Sequence, residues 1–148
     1  MFDFKFDWKD ELNTGIEAVD QQHQEMFRIV REIEQLLIIH CIGVTEKQLY
    51  AIIRELREFV SYHFYEEEIL MKKYGVLNYQ EHAMDHKRMV KLIEGIDIPK
   101  LWRNPYQELS KIKEGIQDNI FQHMFNTDMD MCKEIKVRMK ESREYINE

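Results

Sequence analysis

Five of the six histidines in the chain stand where an apolar residue would be expected. His23 interrupts the series Ile16, Val19, Met26, Val30, Ile33 and Leu37; His63 and Glu67 fall within Leu49, Ile52, Leu56, Phe59, Leu70 and Tyr74. His82 and His86 precede Met89 and Ile93, and His123 follows Leu109, Ile112, Ile116 and Ile120. Steps of three and four make each series one buried face of a helix. A buried carboxylate without a partner is costly, so Glu67 must be paired, protonated or bound to a metal. His63 with Glu67, and His82 with His86, are i, i+4 pairs that lie one above the other on a helix face. One core histidine is ordinarily just hydrogen-bonded, and one such pair arises easily by chance. Five imidazoles and a carboxylate on four inward faces exceed what the polar groups of so small a core could satisfy.

Asp128 joins this set only under a condition. Five residues beyond His123 lies about 140° round an α-helix, so Asp128 reaches the same face only where the helix ends, bends or contains a π-bulge. His40 falls off its series and reads as a surface residue. Glu66 and Glu68 flank Glu67 and should face solvent or neighbouring helices, while the nine methionines read as core filler without a copper motif.

The elements that must position these side chains follow from caps and breakers. Thr14-Gly-Ile-Glu17 and Thr45-Glu-Lys-Gln48 have the form of capping boxes, opening helices over 14–42 and 45–75. Asn78 opens a third over 78–96, and Asn104-Pro105 a fourth over 104–127, with proline at the first helical position. Residues 128–148, carrying Met131, Ile135 and Met139, read as a C-terminal helical extension. In residues 1–13 the alternation Phe2, Phe4, Phe6, Trp8 has no partner strand, so an extended N-terminal arm lying on the helices is expected. Short connections make neighbours antiparallel, and the expected fold is all-α, a single domain built as an up-down-up-down antiparallel four-helix bundle.

Composition agrees. The 148 residues include only five glycines and two prolines, far below the usual share of roughly 12% and unlike a turn-rich β-fold. Asp and Glu number 28 against 21 Lys and Arg, a net charge of −7 that argues against nucleic acid as a partner. Cys41 and Cys132 form no CxxC motif and read as reduced thiols of a cytoplasmic protein. The start Met1-Phe-Asp-Phe-Lys-Phe-Asp-Trp8 lacks signal-peptide organisation, and no apolar run approaches the length of a membrane span.

Taken together, Trp8, Thr14-Gly-Ile-Glu-Ala-Val-Asp-Gln-Gln-His23, His63-Phe-Tyr-Glu-Glu67, His82-Ala-Met-Asp-His86 and His123-Met-Phe-Asn-Thr-Asp128 resemble the hemerythrin family, specifically its bacterial single-domain members. The resemblance implies a non-haem di-iron site: His82, His86 and His123 on one iron, His23 and His63 on the other, Glu67 and Asp128 bridging both with an oxo or hydroxo group. It implies reversible O2 binding for storage, delivery or scavenging, at a coordination position left open on the His23/His63 iron. Met26, Phe64, Phe121, Met124 and Asn119 are the expected wall of that O2 pocket. Asn119 occupies a position where many family members carry Trp, which leads us to expect a roomier or more polar approach and faster autoxidation. On this reading the protein is not an enzyme, and its protein partner is unspecified. The alternatives are an O2 or redox sensor acting through a separate partner, or a di-iron enzyme handling peroxide or NO with an external reductant. A ferritin-like oxidase is disfavoured, because Glu-x-x-His pairs are absent: the residues three before the histidines are Asp20, Leu37, Val60, Tyr79, Ala83 and Ile120. A zinc hydrolase is disfavoured because the residues beside the candidate ligands are mainly apolar and offer no general base.

Overall fold

The computed structural model describes residues 7–146, with side chains to residue 142. A 3-10 turn, Asp10–Leu12, leads into helices α1 (Glu17–Ile38), α2 (Glu46–Tyr74), α3 (Tyr79–Glu94), α4 (Ile98–Arg103) and α5 (Pro105–Gly115). Two π-helical segments, Ile116–Phe121 and His123–Asp128, then run into α6 (Met129–Ile146). No strand occurs among the described residues, and the protein is a helical bundle. Phe2, Phe4 and Phe6 of the expected arm lie outside the described residues. Trp8 is half-buried, its ring edge-on to Phe27 at 5.1 Å and its Nε1 donating to Asn13 Oδ1 at 2.8 Å.

The caps explain where the helices differ from the sequence reading. Thr45 forms the expected box: its Oγ1 accepts from Gln48 N at 3.1 Å, and its own N–H donates to Gln48 Oε1 at 2.8 Å. Thr14 does not. Asp20 draws the preceding loop onto its carboxylate, accepting from Thr14 N–H at 2.7 Å, Thr14 Oγ1 at 2.8 Å and Gly15 N–H at 3.3 Å. The loop turns through Gly15 at φ +87°, so α1 begins at Glu17 rather than at residue 14. At the other end α1 stops at Ile38, short of residue 42. His40 and Cys41 turn left-handed there (φ 53° and 57°), and Cys41 N–H returns to Leu36 O at 2.8 Å, satisfying a carbonyl that the helix end leaves free. His40 is exposed and stacks on Tyr106 at 4.5 Å. Asn78 and Asn104 precede their helices without a side-chain cap, whereas Gly75 ends α2 left-handed at φ 63°.

Two features were absent from the sequence reading. The short helix α4, capped by Asp97 with Pro99 in its first turn, fills the span between α3 and α5. Arg57 of α2 donates to the end of α3, to Glu94 O at 3.1 Å and Ile96 O at 3.0 Å, closing carbonyls that helix geometry leaves open. The expected boundary between 104–127 and 128–148 is also no break: the chain stays helical from Pro105 to Ile146.

α1 packs on α2 and α5, and α2 on α3 and α6. The main core holds Phe27, Ile33, Ile53, Leu56, Leu101 and Leu109, among others. A second cluster joins Val19, Met71 and Val76 to Met131, Cys132 and Ile135 of α6, so the C-terminal helix packs on the bundle through its apolar side. Because neighbouring helices run antiparallel, the first half of α1, the second half of α2, the first half of α3 and the π-helical stretch meet at one end.

Candidate metal centre

All seven residues singled out in the sequence meet at that end, each buried: His23, His63, His82, His86 and His123 are at most 5% exposed, and Glu67 and Asp128 are 0% exposed. They form two overlapping sets of potential ligands. Glu67, His82, His86, His123 and Asp128 make one; His23, His63, Glu67 and Asp128 make the other. The two carboxylates belong to both, with three imidazoles on one side and two on the other.

Asp128 reaches the site because of the backbone. In a π-helix the hydrogen bond spans i to i+5, so residues five apart stack as residues four apart do in an α-helix. His123–Asp128 is such a segment, and Asp128 Oδ1 lies 3.0 Å from His123 Nε2. The condition set by the sequence spacing is met by an extra residue in the helical turn.

Proton placement tests whether this pocket suits a cation. Three rings turn one nitrogen outward onto an anchoring oxygen: His63 Nδ1 to Gln22 Oε1 at 2.6 Å, His86 Nδ1 to Glu68 Oε2 at 3.3 Å, and His123 Nδ1 to Asp85 Oδ2 at 2.6 Å. These oxygens accept, so each Nδ1 carries the proton and, in a neutral ring, Nε2 is a bare lone pair. The Nε2 atoms nevertheless converge, His86 on His123 at 3.2 Å and His123 on His82 at 3.1 Å. Glu67 Oε1 stands 3.1 Å from His86 Nε2, and Asp128 Oδ1 3.1 Å from His82 Nε2. Asp128 Oδ1 is close to two histidines without the alignment of a hydrogen bond. His63 Nε2, Glu67 Oε2 and Asp128 Oδ1 are all buried with no hydrogen-bond partner. Lone pairs packed face to face repel unless something positive lies among them. Ligands bonded at roughly 2.0–2.1 Å to one ion stand about 3 Å apart when cis, which is the spacing found here. The residues fit a pair of cations.

Without a cation, protons serve instead. Burial pulls the imidazoles down, but the hydrogen bonds and charges of Asp128 and Glu67 prevail and push His82 up to about 9. His63 and His123 are likewise held above the ordinary value, against burial, by the same carboxylates. Burial acts against Asp128 too, yet the surrounding histidines, His123 foremost, hold it well below the usual carboxylate range. The site therefore competes for positive charge, and protons and metal ions exclude one another there.

The surroundings are aromatic and apolar. Phe64 stacks on His86 at 4.1 Å, lies edge-on to His123 at 5.9 Å and leans on His63 at 5.6 Å. Phe59 lies parallel to His63 at 5.9 Å, and Phe121 packs on Phe27 at 5.1 Å. Met26 and Met124 are buried in the same core. Asn119 sits apart from these four, in the wall of a cavity of about 400 Å³ with Met89, Ile116 and Ile120; its Oδ1 accepts from Arg88 Nη1 at 3.1 Å and its Nδ2 donates to Gly115 O at 2.9 Å. The anchoring oxygens of Gln22, Glu68 and Asp85 were not picked out in the sequence. A clue was present, since Gln22 adjoins His23 and Asp85 stands one turn beyond His82. Glu68, expected to face solvent or a neighbouring helix, does the latter.

The family model described as Hemerythrin HHE cation binding domain matches residues 14–135. The chain is similar to the Bacteriohemerythrin of Clostridium acetobutylicum, 26% identical over 123 residues that cover 83% of this chain and 95% of that one. The Bacteriohemerythrin of Campylobacter jejuni strain 81-176 is 29% identical over 130 residues, 87% of this chain and 94% of its own. The Bacteriohemerythrin of Pseudomonas paraeruginosa is 29% identical over 89 residues, 58% of this chain and 54% of that one. No solved structure matches the chain significantly.

Proposed function

The chain belongs to the hemerythrin family, and from that premise we propose that it binds O2 reversibly at a pair of iron ions, as a store, carrier or scavenger. The observation that carries this reading is the asymmetry of the two ligand sets: three histidines with the shared carboxylates on one side, two on the other. His82, His86 and His123 would hold one ion, His23 and His63 the other, and Glu67 and Asp128 would bridge them, alongside an oxo or hydroxo group. When bound, two such ions supply electrons to a diatomic ligand and take them back.

The chain's own residues make that exchange reversible. Gln22, Glu68 and Asp85 fix the tautomers of three histidines, so that Nε2 is the donor atom in each. Phe64, Phe121, Met26 and Met124 present no acid and no proton donor, which favours holding O2 over cleaving it. They also exclude water, as their burial implies.

Anaerobic loading of the purified apoprotein with Fe2+, metal analysis and visible spectra before air, after air and after renewed deoxygenation test this. Two irons per chain and an absorption band that comes and goes with O2 support the proposal. A band that appears once and never reverses, with peroxide consumed in the presence of a reductant, would replace it by the enzymatic reading.

A further inference from the structure

We propose that the acidic pocket between the start of α3 and the π-to-α6 junction is the route by which cations reach the buried centre, with Glu81 and Asp130 as its collecting charges. The inference rests on the metal reading above. Every candidate ligand is buried, so an ion must cross the protein surface somewhere. A pocket of about 340 Å³ has a candidate ligand in its own wall, His82. That ring is only 5% exposed and has its Nε2 in the cluster, while its Nδ1 makes no hydrogen bond among the described residues, unlike those of His63, His86 and His123. The imidazole of His82 thus forms the partition between pocket and centre, one edge on each side.

The rest of the lining suits a cation. Glu81 and Asp85 of α3 line the pocket with Asp130 and Glu134 of α6, joined by Asn78 and Asn126, and the lining contains no lysine or arginine. Asp85 and Glu134 are neutralised by Arg88 at 2.9 Å and Arg138 at 3.0 Å. Glu81 and Asp130 are exposed and form no ion pair among the described residues. An acidic cleft with low-dielectric walls focuses its field and raises the local concentration of counter-ions. The cavity beside Asn119 is the contrasting case: its lysines, Lys100 and Lys111, both pair with Glu108 in the same wall, and Met89, Ile93, Ile116 and Ile120 make much of the rest apolar, better suited to a neutral molecule than to an ion.

The test is uptake of Co2+ by the apoprotein, followed by visible absorption and by metal analysis of rapidly desalted aliquots. The variant is Glu81→Gln with Asp130→Asn; the control, Glu114→Gln with Asp118→Asn, removes the same charge from exposed positions away from this pocket. At low ionic strength the pocket variant should load about 5–10-fold more slowly than the parent, the gap should close as salt rises, and final stoichiometry should be unchanged. The control should load within about twofold of the parent. Equal rates in the pocket variant and parent, or equal slowing in both variants, would overturn the route while leaving the metal reading intact. Failure of the parent itself to take up Co2+ would overturn both.

Discussion

The anchoring oxygens are the most direct place to perturb the centre without touching a candidate ligand. Asp85→Ala frees the Nδ1 proton of His123, and the ring loses both its orientation and the carboxylate that raises its basicity. Loss of such a partner typically costs roughly 10–100-fold in metal affinity, so competition against a chromophoric chelator should show a drop in that range. His63→Ala should act differently, removing one of the two imidazoles on the poorer side and lowering the metal content from two ions per chain to one. A content of two ions in that variant would sink the assignment of the second ion. The histidines themselves were legible because an imidazole on an apolar helix face is a conflict visible in one dimension. Their anchors were not. Gln22, Glu68 and Asp85 are ordinary polar residues on half-exposed faces, and only the three-dimensional approach of α1, α2, α3 and the π-helical stretch gives them a partner.

At the scale of elements, caps and breakers placed the four principal helices but misjudged two ends of α1, where a competing interaction won. Asp20 offered three loop donors a better acceptor than the start of the helix could, and the left-handed pair His40 and Cys41 closed the helix before Gly43. The π segments were foreseen as one of three ways to bring Asp128 home, since hydrogen-bond register leaves no mark in the sequence beyond an awkward spacing. That register carries a prediction. Residues 123–128 contain one residue more than an α-helical turn needs, so deleting the exposed Asn126 converts His123 and the aspartate to an i, i+4 pair on the same face. The deletion variant should keep its helical circular dichroism and still bind two ions per chain. Inserting an alanine after Asn126 should instead rotate Asp128 by about 100° away from the centre and lose at least one ion. Loss of both ions in the deletion variant would mean that the π turn contributes more than register.

For the whole molecule, folding and metal binding are one equilibrium, because the centre ties all four principal helical stretches together at one end and leaves polar atoms unpaired when no cation is bound. A cation that binds only the folded chain stabilises it by about 2.7 kcal/mol at a free concentration 100 times its dissociation constant. In a domain of this size that is a rise in Tm of roughly 5–11 °C. Its pH dependence follows from the histidines. The folded apoprotein holds His82 near 9 against an unfolded value of about 6.5, so that proton stabilises the apo form fully below pH 6.5, and the contribution disappears as pH rises through 9. His63 and His123 act with the same sign. Cation binding must displace these protons, so affinity rises over the same interval in which the apo form loses their help. Both effects widen the difference between loaded and apo Tm from pH 6 to pH 9. The low-lying Glu67 and Asp128 do not oppose the trend, because their contribution is lost only as pH falls well below this window. Thermal unfolding at pH 6, 7.5 and 9, with and without saturating Co2+, measures the gap directly, and a gap that stays constant or narrows toward pH 9 would show that protons and metal do not share the site.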